Sequence, residues 1–350
     1  MSGGVDSSVA AALLADEGLD VVGVTLHLWD TPDDGSVRGR CCAPEDQHDA
    51  RRVADHLGIS HYAFDRRAEF RREVVTPFVD AYLGGETPSP CVACNRGPKL
   101  RELFDLADDL GAELVATGHY ARLGRDDVGP CLLRARDGSK DQSYFLHALG
   151  REQLSRLRLP LGSLTKPEVR EIARARGLPG AAKGESQELC FVPSGRYDAF
   201  VDARAAGRAR PGPILDGSGA VVGRHAGVHG FTIGQRRGLG VALGKPAFVV
   251  DLDGATGAVQ LGDEAALGAT RLTAVDGRFL EGAPRELVAT VRVRARHEGE
   301  RARVTIDPSG AMQADFERPV RAVARGQYAV VYDGDRVLGG ARITSTERPS

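Results

Sequence analysis

The 350-residue chain predicts an α/β protein: an N-terminal parallel sheet covered by helices, then a small central region and an all-β C-terminal barrel. Three observations carry this. Up to about residue 180, apolar runs of strand type alternate with helical periodicity, the pattern of a helix-covered parallel sheet. Glycine and proline then cluster in GRARPGP, which opens at Gly207 and has a linker's composition. Beyond residue 240 come short alternating runs such as AFVVDLD, LVATVRVRA and YAVVYDGDRVLGGARIT, broken by Asp253-Gly254 and Asp333-Gly334 turns. The division expected is 1–204, 205–270 and 271–350.

Within the first region, 21–28 and 113–117 read as strands. Helical periodicity covers 8–17, 46–57, 69–83, 99–110 and 166–176, with Gly18, Gly58, Gly111 and Gly177 standing just past four of those ends as helix stops. Apolar residues make up 42% and charged residues 27%, an ordinary balance for a folding chain. No apolar run approaches the roughly 18 residues that span a bilayer, and no basic-then-apolar leader opens the chain, so a cytoplasmic protein with no membrane partner is expected.

The net charge of -2 conceals an asymmetry. Between 201 and 240, Arg204, Arg208, Arg210, Arg224, Arg236 and Arg237 face only Asp202 and Asp216, a local excess of +4. A solvated face is the bland explanation; a nucleic-acid contact is the other.

Six cysteines are too few for a disulfide scaffold in a chain of this length. Cys131 opens an apolar strand and reads as a buried small hydrophobe, as do Cys41 and Cys42. Cys91 and Cys94 in TPSPCVACN, and Cys190 in GESQELCF, lie in segments with turn chemistry and read as accessible loop cysteines. Zinc would need a second pair beyond Cys91 and Cys94, and only the adjacent Cys41 and Cys42 are on offer.

The opening segment SGGVDSS at 2–8 runs straight into a helix, so small residues leave backbone N–H groups able to surround an anion at the helix N-terminus. It has no Walker-type lysine. The full string resembles the PP-loop of the ATP pyrophosphatases, with their adenine nucleotide alpha hydrolase-like fold, which adenylate a substrate oxygen and release pyrophosphate. That resemblance implies ATP contacts from Ser2, Gly3, Gly4, Val5, Asp6, Ser7 and Ser8, with Mg2+ shared by Asp6. A buried strand of about six residues precedes the loop in that family. Here the loop is under way at Met1, so a late start assignment or a truncation is expected.

The likeness then narrows. SGGVDSS, DARRVADHLGI, TPSPCVACN, ATGHYAR, KDQSYFL, LTKPEVR, FTIGQRRGLG and GDRVLGG occur in the order found in the tRNA-specific 2-thiouridylases, so the chain resembles that family from end to end. The resemblance implies ATP-dependent 2-thiolation of a wobble uridine in tRNA, with Cys94 as nucleophile, Cys190 as persulfide carrier, and a Cys94–Cys190 disulfide closing the cycle. It implies further ATP contacts at Leu26 and Gly118, a target-base pocket at Ser89, Pro90 and Cys91, and tRNA contacts at His119, Lys140, Asp141, Gln142, Arg294, Ala295 and Gln327. Ser89 stands where Asn is common and Cys91 where some relatives have Asp, so a general-base role of that Asp does not transfer. Ala295 offers only backbone.

The chemistry suits these residue types. Uracil carbon 2 is a poor electrophile until ATP converts its oxygen into a leaving group. Sulfur then arrives as a nucleophile, from a persulfide delivered by a sulfur-relay protein or a cysteine desulfurase. An iron–sulfur cluster on Cys91, Cys94 and Cys190 is also permitted but less favoured. A wobble base must leave its stack to be reached, and Arg236 and Arg237 are expected on tRNA phosphates. Two other readings stand beside this one: a PP-loop ligase that adds nitrogen, which would need neither Cys94 nor Cys190, and a non-catalytic tRNA-binding protein.

Overall fold

The structure is a computed structural model that describes residues 1–30, 44–181, 189–192 and 196–348; Cys41 and Cys42, expected to be buried, lie outside the described residues. The chain forms two compact units. One comprises Met1–Val75, Cys91–Arg196 and Asp335–Val337, the other Thr76–Pro90, Tyr197–Gly334 and Leu338–Ser350.

In the first unit the helix Val5–Asp16 starts directly from the opening loop, with Val5, Ser8, Val9, Ala10, Ala11, Ala12 and Leu14 all buried. Small residues let neighbours approach this helix closely from several sides. The strand Val22–His27 pairs in parallel with Ser60–Asp65, Val22 opposite Ser60 and His27 opposite Asp65. A second parallel pair joins Val115–Ala116 to Leu157–Arg158. The helix Lys166–Ala175 places Val169 and Ala173 in one core with Val5, Val9 and Ala12. Thr165 and Glu168 form a capping box at its start, which fixes where its first residue stands. The helices expected to stop at Gly18, Gly58, Gly111 and Gly177 end at Asp16, Leu57, Asp109 and Ala175.

The second unit is mostly β. A four-stranded sheet runs in the order Val221–His225, Gly212–Leu215, Ala258–Gly262, Phe248–Asp253. Six strands, Gly268–Phe279, Met312–Arg321, Glu300–Ile306, Glu286–Arg292, Tyr328–Asp333 and Arg336–Glu347, follow one another round a barrel, and the first pairs with the last to close it. Closure pairs the two end strands of these six with each other, so neither is left as an open edge of the barrel. Its interior is filled by Leu272, Val291, Val304, Met312, Val331 and Ile343 among others. Both predicted turns are present: Asp253-Gly254 joins the antiparallel strands Phe248–Asp253 and Ala258–Gly262, and Asp333-Gly334 leads into the closing strand. Among the described residues, no helix is long and apolar enough to cross a membrane.

Candidate active site

The loop at the start of the first helix is held open by its own hydroxyls. Gly3 has φ +64°, a conformation that disfavours any side chain. Ser2 N–H donates to Ser7 Oγ at 3.1 Å, and the Ser7 and Ser8 hydroxyls donate to Gly4 O at 3.1 and 2.9 Å. Gly4 caps the helix with no side chain. The N–H groups of Val5, Asp6 and Ser7 therefore have no partner within the helix and are positioned for an anion, helped by the helix dipole. On the far side of the loop stands Gly118. A Cβ there would lie 2.9 Å from the Asp6 carbonyl carbon and 3.0 Å from Ser7 N, both backbone atoms, so only glycine lets the ATGH segment pack against the loop. Leu26 lies on the strand Val22–His27, opposite Phe64.

Asp6 does not stand alone. Lys166 Nζ bonds both of its carboxylate oxygens, at 2.7 and 2.8 Å, and Tyr120 OH donates to Oδ1 at 2.7 Å. Lys166 is the first residue of its helix, where a cation opposes the helix dipole; the pair with Asp6 offsets that cost. A single carboxylate completed by substrate phosphates is an ordinary Mg2+ donor set, but with both oxygens on the Lys166 ammonium Asp6 would hold the metal expected with ATP only after Lys166 moved off it. An open cavity of about 690 Å³ adjoins Lys166 and is lined also by Asp137, Ser139, Lys140, Arg170 and Arg174. Lys166 and Tyr120 fall inside the LTKPEVR and ATGHYAR strings, yet the strings do not say that they meet at Asp6.

Of the three cysteines expected on loops, Cys91 and Cys94 are instead on a short helix, Pro90–Cys94, whereas Cys190 lies in a turn. Proline is favoured in a first turn because its missing N–H would have no helical partner there. Asn95 Nδ2 reaches back to Cys91 O at 3.0 Å, while its Oδ1 is buried without a partner. The next turn breaks at Gly97 (φ −113°, ψ −114°) before Pro98, and this re-aims Lys99. Cys91, Cys94, Cys131 and Cys190 are all thiols, with Cys91, Cys94 and Cys190 half-buried. Cys131 is buried as expected, which pushes its thiol pKa up. Cys190 is located by its neighbour: Phe191 packs edge-on against Trp29 and Phe70, with centroids 6.2 and 5.6 Å away. Residues 184–188 of GESQELCF lie outside the described residues. Among the described residues, no three His, Cys, Asp or Glu side chains form a metal-holding group, so Cys91, Cys94 and Cys190 do not form a cluster ligand set in this arrangement.

The residues expected to contact tRNA fall into two groups. His119 is buried and its ring is engaged on both sides: Nδ1 with Thr117 Oγ1 at 2.8 Å and Nε2 with Lys99 Nζ at 3.3 Å. Burial, and secondarily the Lys99 charge, hold its pKa well below the usual histidine value, so the ring is neutral. Asp141 spends its carboxylate on Ala135 N, Ser143 N and Ser143 Oγ, and Gln142 is stitched to the Tyr120 backbone in both directions. These side chains build the turn, whereas Lys140 faces the cavity. In the barrel, Gln327 Nε2 donates to Thr87 O at 2.9 Å and Pro88 O at 3.3 Å, just ahead of Ser89 and Pro90. The buried Arg292 donates to Ala295 O and to His297 O at 2.7 Å, fixing the hairpin that carries Arg294. The Ala295 carbonyl is thus already engaged within the hairpin.

Three family models cover nearly all of this chain: the tRNA methyl transferase HUP domain at residues 1–194, the tRNA methyl transferase PRC-barrel domain at 199–263, and the aminomethyltransferase beta-barrel domain at 269–343. The tRNA-specific 2-thiouridylase MnmA of Sorangium cellulosum is 65% identical, over 99% of this chain and 92% of its own length. The chain belongs to the tRNA-specific 2-thiouridylase family. Members from Chloroflexus aggregans and Moorella thermoacetica, both tRNA-specific 2-thiouridylase MnmA, are 50% and 48% identical, each over 99% of this chain and 98% of its own length. The thiouridylase likeness therefore spans the loop, the cysteine helix and the barrel alike, and the enzyme class is that of a sulfurtransferase.

Proposed function

We propose that this chain uses ATP to convert the wobble uridine of a tRNA anticodon into 2-thiouridine. The O2 oxygen of uracil attacks the α-phosphorus of ATP, and pyrophosphate leaves into the loop 2–8 with Mg2+ on Asp6. A donor protein, a sulfur-relay protein or a cysteine desulfurase, loads Cys190 as a persulfide. Sulfur then displaces AMP from carbon 2. Whether the persulfide attacks directly or Cys94 first releases sulfide from it, the Cys94 thiolate ends bonded to the Cys190 sulfur, and a two-electron reductant resets the disulfide. Region 1–204 carries this chemistry, while 205–270 and 271–350 hold tRNA, with Arg236 and Arg237 on phosphates and Arg294 on the barrel hairpin. Ser89, Pro90 and Cys91 receive the flipped base.

The observation that carries the reading is one compact unit holding both an open, Gly118-backed anion loop and half-buried Cys91, Cys94 and Cys190 thiols. A nitrogen ligase needs only the first. The test is single-turnover thiolation with ATP, tRNA and a persulfide donor. Wild-type protein should form 2-thiouridine, whereas Cys190→Ser should still release pyrophosphate but lose thiolation by at least about 1,000-fold. Full activity in Cys190→Ser would remove the persulfide role and favour the ligase.

A further inference from the structure

The Lys99 ammonium is half-buried and its hydrogen-bond partner is a neutral ring. The proton positions follow from the donors. An ammonium can only donate, so His119 Nε2 must accept, the ring proton sits on Nδ1, and Nδ1–H donates to Thr117 Oγ1. No carboxylate among the described residues pairs with Lys99. Holding a cation partly out of water with no counter-charge is unfavourable by itself, and becomes favourable when an anion arrives.

Its place in the chain says which anion. Lys99 follows Cys94 by five residues, across the break at Gly97. His119 follows Gly118, which packs against the Asp6 and Ser7 backbone. The ammonium therefore joins the segment that carries the sulfur chemistry to the segment that backs the phosphate loop.

We propose that Lys99 is a catalytic anion-binding residue. Its remaining N–H groups bind the phosphoryl group that links the activated uracil to AMP, with His119 and Thr117 as positioning residues. This rests on the adenylation reading above. In the sulfur-transfer step the sulfur lone pair forms the bond to carbon 2, the C2–O bond breaks, and its electron pair leaves on the AMP oxygen. Lys99 meets the charge that grows there. His119 then acts on tRNA chemistry through Lys99, both its ring nitrogens being already engaged.

Lys99→Met, Lys99→Arg and His119→Gln should be compared with wild type in single-turnover thiolation, alongside tRNA binding and thermal melting. Lys99→Met is expected to slow thiolation about 100-fold with tRNA affinity within about 3-fold and no fall in Tm, since an uncompensated charge has been removed. Lys99→Arg should recover at least about a tenth of the wild-type rate, and His119→Gln should fall between the two. A Lys99→Met rate within about 3-fold of wild type overturns the proposal, as does a rate loss that comes with a lowered Tm and no rescue by arginine. If wild-type protein itself releases no pyrophosphate, the adenylation reading fails instead.

Discussion

Two lysines of the first unit stand near functional segments and are treated oppositely by their surroundings. At the nucleotide loop, Lys166 is locked by both oxygens of Asp6, with Tyr120 OH on the same carboxylate. Beside the cysteine helix, Lys99 is held by the lone pair of a neutral His119. The first charge is cancelled before any ligand binds; the second is directed but left uncancelled. The resemblance to the family implies a site role for Asp6 and His119 alike. Their partners distinguish them: Asp6 belongs to a closed pair, whereas His119 accepts from a single ammonium.

The strongest way to break this comparison is to remove Lys166. Lys166→Met leaves the Asp6 carboxylate with Tyr120 alone and an orientation no longer fixed. Pyrophosphate release in a single turnover should fall about 100-fold. Because the two groups act as a unit, Asp6→Asn combined with Lys166→Met should be little worse than either change alone. Losses that multiply in the double variant would mean that Asp6 and Lys166 serve the nucleotide step independently rather than as the pair seen here.

The barrel supplies a third cation in a third setting, and a smaller expected effect. Arg292 is 7% exposed, its guanidinium bonds the carbonyls of Ala295 and His297, and it lies over the Tyr332 ring at 5.6 Å. Arg292→Met would leave two carbonyls without their donor and loosen the hairpin that carries Arg294. We expect tRNA affinity to fall about 5- to 10-fold, with a stability loss of about 1–3 kcal/mol from the unsatisfied groups. ATP-dependent steps measured at saturating tRNA should be unchanged. A change in turnover at saturating tRNA, with affinity intact, would show that this hairpin does more than hold the substrate.

Much of this was readable in the chain because it is local. The glycine stops, the turns of the barrel and the anion loop are each set by a few consecutive residues, and the order of motifs is enough to name the family. What was not readable is long-range. Asp6 and Lys166 are separated by 160 positions, and nothing in either motif predicts that one cancels the other. The strand Ser60–Asp65 escaped notice because its exposure does not alternate, with His61 and Phe64 only partly buried. TPSPCVACN looked like a loop, since two prolines and a serine are turn formers; Pro90 at the first helical position makes it a helix instead. For Ala295, a sequence can show that only backbone remains, but not that Arg292 has already taken its carbonyl.

The smallest effect tests whether buried neutral histidines share one role. His147, like His119, is buried, but its Nδ1–H donates to the Tyr144 carbonyl at 2.8 Å rather than to a threonine hydroxyl. Burial, with a lesser push from Arg96, lowers its pKa to about 4. The unfolded chain binds this proton near pH 6.5 and the folded one does not. Stability linked to His147 is therefore fully present above about pH 6.5 and is lost as pH falls toward about 4, with about 1 kcal/mol gone between pH 7 and about 5.5. Urea unfolding at those two pH values should show that loss in wild type and a smaller one in His147→Gln, in which His119 still contributes in the same direction. Carboxylates titrate mostly below this window, so the difference between the two proteins isolates one ring. Thiolation at neutral pH should be nearly the same in both. A His147→Gln variant that thiolated as poorly as Lys99→Met would mean that the role assigned to His119 is not particular to its contact with Lys99.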